Sequence, residues 1–95
     1  MKHTILVFFL LVWVTTFGQS QTRRVLFLGN SYTYVNDLPQ IIADLALSTG
    51  DMLIYDSHLI GGYTLEDHST DPTSLNKILS GSWDYIVLQE QSQRP

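Results

Sequence analysis

Apolar and polar positions divide the chain into an opening run and a patterned remainder. Ile5 to Val14 is an unbroken stretch of ten apolar residues, preceded by Lys2 and followed by the polar Gln19-Ser20-Gln21. Beyond it, short apolar runs alternate with segments of helical periodicity. Val25-Leu26-Phe27-Leu28 is rich in strand formers and ends at Gly29. A continuous apolar run of that length fits a strand buried on both faces, as in a parallel sheet. A polar loop, Asn30 to Asn36, follows. Leu38, Ile41, Ile42, Leu45 and Ala46 then keep the i, i+3, i+4, i+7 spacing of one helix face. A cap near Asp37, Pro39 in the first turn and Gly50 beyond the last would bound that helix.

A second strand is predicted from Met52 to about Leu59, stopped by Gly61-Gly62. A weak helical segment starts near Thr64, where Glu66 and Asp67 suit the positive end of the helix dipole. Asp71-Pro72 breaks it, and Thr73 or Ser74 would cap a short helix over Leu75 to Leu79, ended by Gly81. Tyr85-Ile86-Val87-Leu88 is the third strand. Strands alternating with helices predict βαβ units and a parallel sheet, hence an α/β, flavodoxin-like, three-layer architecture. With few helices to cover such a sheet, the pattern reads as truncated after the third strand: residues 21–95 form the N-terminal part of a larger domain.

The opening run changes the picture of the remainder. A positive n-region, an apolar core of ten and small residues at Gly18 and Ser20, or at Thr16 and Gly18, match an export signal over residues 1–20. A membrane span requires about 20 apolar residues, so the run is short for one. An uncleaved anchor or a buried first strand are the alternatives. The expected location is secreted or periplasmic, with no stable membrane span after cleavage. Without the leader, four basic residues (Arg23, Arg24, Lys77, Arg94) face all nine acids, a net of −5. That balance carries no basic footprint for nucleic acid. The chain holds no cysteine, which excludes a disulfide scaffold and a thiol nucleophile.

The chemistry-bearing residues fall where the strands end. In open α/β sheets ligands bind outside the carboxyl ends of the strands. Gly29-Asn30-Ser31-Tyr32-Thr33, Gly61-Gly62-Tyr63-Thr64 and Gln89-Glu90-Gln91-Ser92 occupy those three ends and should share one rim. Ser31 follows a strand and precedes a helix, a position from which a hydroxyl attacks once a base takes its proton. Its own N–H, that of Gly62 and a side-chain amide from Gln89 or Gln91 are candidate donors to an oxyanion. Strand alternation places both glutamines on one side and does not choose between them. Tyr32, Tyr34 and Tyr63 are candidates for lining a sugar-binding cleft. Asp56, His58, Asp67 and His68 match no zinc-ligand spacing, and neither metal nor cofactor is expected.

The three clusters resemble the SGNH (GDSL-type) hydrolase superfamily of esterases. Gly29-Asn30-Ser31-Tyr32 looks like its Gly-Asp-Ser-Leu block, and Gly62 with Thr64 is similar to its second block. Gln89-Glu90-Gln91-Ser92 stands where its Gly-x-Asn-Asp block would fall. Gly-Asn-Ser-Tyr-Thr and the phrase Asp84 to Ser92 look like a less-characterised, often secreted bacterial branch. The resemblance implies Ser31 as nucleophile and Gly62 and Gln91 as oxyanion-hole donors. Asn30 and His68 are candidate substrate contacts, and the implied substrate is a small-molecule or carbohydrate ester, such as an O-acetyl sugar. Asn30 replaces the usual Asp, and Gln91 replaces Asn. The superfamily's Asp-x-x-His block, which supplies the base, has no counterpart in this sequence, so an incomplete enzyme is expected. A non-catalytic α/β ligand-binding module and a non-functional fragment are the alternatives.

Overall fold

The structure is a computed structural model and describes residues 19–93. The export-signal reading falls on residues 1–20 and so lies almost wholly outside the described residues. Three strands form one parallel sheet: β1 (Thr22–Gly29), β2 (Met52–Leu59) and β3 (Tyr85–Leu88), in the order β2-β1-β3. That is the order in which the first three strands of a flavodoxin-like sheet are arranged. The expected α/β class and parallel sheet are therefore observed. β1 pairs with β2 along its whole length, from Thr22 opposite Met52 to Gly29 opposite Leu59. It pairs with β3 from Val25 opposite Tyr85 to Leu28 opposite Leu88.

The strand begins at Thr22, three residues before the apolar run. Thr22, Arg23 and Arg24 are exposed, so hydrophobicity does not mark them. Their backbone pairing with Met52, Leu53 and Ile54 extends the ladder instead. The centre of β1 is the core: Val25, Leu26, Phe27 and Leu28 are at most 4% exposed. Each such side chain contributes roughly 1.5–3 kcal/mol by leaving water.

Four helices connect the strands: α1 (Ser31–Tyr34), α2 (Leu38–Ser48), α3 (Leu65–Thr70) and α4 (Pro72–Ser80). Strand alternation sends neighbouring β1 residues to opposite faces. Phe27 shares a groove with Leu38 and Ile42 of α2. Leu28 shares one with Leu65, Leu75 and Ile78 of α3 and α4. Helices thus flank both faces, giving three layers. β3 remains open, its four residues between 40% and 60% exposed.

Three local expectations are revised. The predicted polar loop after β1 contains α1, because Asn30 caps it by accepting the Tyr32 N–H at 3.1 Å. Asp37 occupies the N-cap position of α2 but makes no side-chain cap bond; it sits at φ 53°, after Asn36 at φ 65°. Asn and Asp tolerate this left-handed region better than other side chains. The last helix starts at Pro72 rather than Leu75. Its cap is Asp71, whose Oδ2 accepts the Ser74 N–H at 2.9 Å, in place of Thr73 or Ser74. Asp71-Pro72 both ends α3 and starts α4, since proline is favoured at the first helical position. The α3 start matches its expectation and adds a reciprocal capping box between Thr64 and Asp67.

Leu26 is fully buried at the centre of the middle strand. Leu26→Ala should cost about 2–5 kcal/mol, read as a lowered urea midpoint. A midpoint within error of the parent would contradict this description of the core.

Candidate functional site

Three loops meet at the carboxyl ends of the strands and are tied together by three side chains. Gln89, just past β3, turns its side-chain carbonyl toward the end of β1. Its Oε1 accepts the Asn30 N–H at 3.2 Å and the Thr33 hydroxyl at 2.7 Å. Its Nε2 donates to the Glu90 carbonyl at 2.7 Å. Asn30 reaches the second loop by donating from Nδ2 to the Tyr63 carbonyl at 2.9 Å. Glu90 closes the circuit: its Oε1 accepts the Leu65 N–H at 3.0 Å and the Gln91 N–H at 2.8 Å. Tyr32 adds an outer tie, donating to the Ser92 hydroxyl at 3.0 Å. The three clusters singled out in the sequence therefore do share one rim.

Within that rim the individual residues divide into those spent on structure and those left available. Asn30 is 1% exposed and both ends of its amide are used internally. It is a structural clamp here rather than the substrate contact expected from the sequence. His68 is revised in the same way. It is 3% exposed, with Nδ1 2.7 Å from the Ser74 hydroxyl and Nε2 2.8 Å from the Gly29 carbonyl. Gln89 is committed as well, which separates it from Gln91. Gln91 is half-buried, and its side-chain Oε1 accepts the Gln93 N–H at 2.6 Å. Its Nε2 makes no hydrogen bond among the described residues.

Ser31 is half-buried at the first position of α1. Neither its hydroxyl nor its N–H is hydrogen-bonded among the described residues, as befits the unpaired first turn of a helix. Gly62 lies at φ +77° in an exposed turn. A Cβ added there would meet nothing within 4 Å. Glycine is required at this position by backbone conformation rather than by space. Its N–H also lacks a partner among the described residues.

Beneath the rim lies a polar cluster that the sequence spacing did not reveal. His58 Nε2 is 2.8 Å from Asp71 Oδ2, and the Tyr63 hydroxyl is 3.4 Å from Asp71 Oδ1. The Ser74 hydroxyl stands 2.9 Å from the same Oδ2. The Ser74 backbone N–H, then its hydroxyl and His58, hold the Asp71 carboxyl below its usual range against an opposing effect of desolvation. Desolvation, followed by the Asp71 charge, raises the Tyr63 phenol. On β2, Asp56 is likewise lowered, chiefly by its 2.6 Å bond with Lys77. The separation of thirteen residues between His58 and Asp71 follows no local periodicity, so only the fold brings them together. Among the described residues, no group of three or more His, Asp or Glu converges as a metal site, and no helix is long and apolar enough to cross a membrane.

Comparison of the chain with protein-family models, with curated proteins and with solved structures returned no match in any of the three.

The lowered carboxyls of Asp71 and Asp56 fix a sign for acid stability. Both bind protons less readily folded than unfolded, so their contribution is complete above the unfolded value near 4 and is lost as pH falls through the folded values. The urea midpoint should therefore fall between pH 6 and pH 3. A midpoint that stays level or rises toward pH 3 would contradict these assignments.

Proposed function

We propose that the chain is part of a secreted serine ester hydrolase of SGNH type, with Ser31 as nucleophile. One observation carries the reading. Ser31 stands at the helix start just beyond the buried middle strand, with both its hydroxyl and its N–H unengaged, on a rim that keeps two further donors unengaged. Attack by the Ser31 oxygen on an ester carbonyl places negative charge on the carbonyl oxygen. The N–H groups of Ser31 and Gly62 and the Gln91 amide are the donors suited to that charge, and each such donor is worth roughly 10²–10³ in turnover. The substrate class is a small-molecule or carbohydrate ester, an O-acetyl sugar being the leading example.

The serine also requires a base within about 2.6–3.2 Å of its hydroxyl. His58 and His68 are engaged elsewhere in the described residues, with Asp71 for the first and with Ser74 and Gly29 for the second. The reading therefore assigns the base to a histidine outside them, in the manner of the superfamily's Asp-x-x-His block. That same engagement favours the second reading, a non-catalytic α/β module that binds a ligand at this rim.

Labelling the protein, as its host exports it, with a fluorophosphonate separates the two. The esterase reading predicts covalent label on Ser31 and hydrolysis of a small acetyl ester. In Ser31→Ala both should disappear, with turnover lowered on the order of 10⁴-fold or more and the thermal midpoint unchanged. Label on Ser57 or Ser92, or full hydrolysis by Ser31→Ala, would overturn it. Absence of label and of hydrolysis would favour the binding module.

A further inference from the structure

Proton counting in the cluster under the rim leads to a protonation device independent of the esterase reading. The chain of contacts runs from the Gly29 carbonyl to His68 Nε2, from His68 Nδ1 to the Ser74 hydroxyl, and from that hydroxyl to Asp71 Oδ2, at 2.8, 2.7 and 2.9 Å. Both ends of this chain only accept. The Gly29 carbonyl obliges Nε2 to carry a proton. With neutral imidazole, Nδ1 is then an acceptor and takes the Ser74 O–H. In that arrangement the Ser74 O–H leaves Asp71 Oδ2, the acceptor to which it donates in the structure, and Oδ2 keeps the Ser74 N–H and His58.

An added proton on Nδ1 finds an acceptor already in place. Nδ1–H donates to the Ser74 oxygen, and the Ser74 O–H turns to Asp71 Oδ2. No buried group loses a partner, and the Gly29 carbonyl keeps its bond in both states. We propose that the Ser74 hydroxyl is a proton-state pivot, which lets the buried His68 take up a proton in the folded protein while the end of β1, and hence the Gly29-Asn30-Ser31 loop, stays in place.

The surroundings fit this role. Ser74 is fully buried, so water does not compete for its hydroxyl. A groove of about 190 Å³ lined by His68, Ser69 and Leu75 borders the ring. The charged and titratable neighbours are known on every side. His58 from β2 lies edge-on at 5.9 Å between ring centroids, and Tyr63 at 4.9 Å. Asp71 precedes α4 and faces His58, while Glu66 and Asp67 share α3 with His68. Lys77 is occupied by Asp56, beyond His58. Asp71, kept ionised by its donors, supplies the counter-charge through Ser74.

Nitrogen-detected NMR of the histidine side chains in the full chain, from pH 8 to pH 5, tests the device together with Ser74→Ala. In the parent, His68 should become doubly protonated while the Gly29, Asn30 and Ser31 amide signals hold their positions. Ser74→Ala strands an imidazolium N–H in the interior, so its unfolded state binds the proton better and stability falls with pH. Its thermal midpoint should drop between pH 8 and pH 5 by at least about 4 °C more than the parent's. A His68 that stays neutral until the parent unfolds, or parallel pH profiles for parent and variant, would overturn the proposal. Should Ser74→Ala not fold, the parent titration decides alone.

Discussion

The rim depends on how closely the side chain of Gln89 approaches the end of β1. A Cβ on Gly29 would stand 2.8 Å from Gln89 Oε1 and 3.1 Å from both Gln89 Cβ and Thr33 Oγ1. Only glycine leaves room for that approach. From it follow the bonds to Asn30 and Thr33, the start of α1 and the placing of Ser31. The core explains why the arrangement is held so firmly. Val25 to Leu28 are buried between helices on both faces and paired on both edges, so the last residue of β1 emerges from the most constrained stretch of the chain. Its carbonyl receives His68 from below and the Ile60 N–H from the neighbouring loop.

The sequence made the strands legible because burial on both faces leaves a continuous apolar run, as in Val25 to Leu28. It made the rim legible because parallel strands must end together. What it left hidden is direction. A polar residue at a strand end can face solvent or turn back into the protein, and Asn30 and His68 turn back. Two-residue alternation could not separate Gln89 from Gln91. The separation comes from a partner in another loop, Thr33, fifty-six residues earlier in the chain. Capping was partly legible. The helix start near Thr64 was read from the sequence, whereas the capping box of Thr64 and Asp67 and the cap at Asp71, which both ends one helix and starts the next, were not.

Two kinds of polar chemistry are thereby kept apart. The inward set, Asn30, His68, Ser74, Asp71 and Gln89, is hydrogen-bonded among itself and fixes the loops; removing a partner of its buried members, Asn30, His68 or Ser74, leaves a desolvated group unpaired. The outward set, Ser31, Gly62 and Gln91, keeps its donors unengaged. Donors aimed in advance at developing charge stabilise it without rearranging during reaction, and the esterase proposal rests on that division. The absence of a histidine beside Ser31 among the described residues defines what the proposal still requires.

The central claim is that Gln89 and Thr33 act as one unit in holding the first loop to the third strand. A double-mutant cycle on stability, with Gln89→Ala, Thr33→Val and the two combined, measures that coupling directly. Contacting residues in a shared network couple by about 0.5–3 kcal/mol, whereas independent sites add to within about 0.3–0.5 kcal/mol. The account predicts a coupling of about 1 kcal/mol or more between these two positions. Additivity within about 0.3 kcal/mol would contradict it.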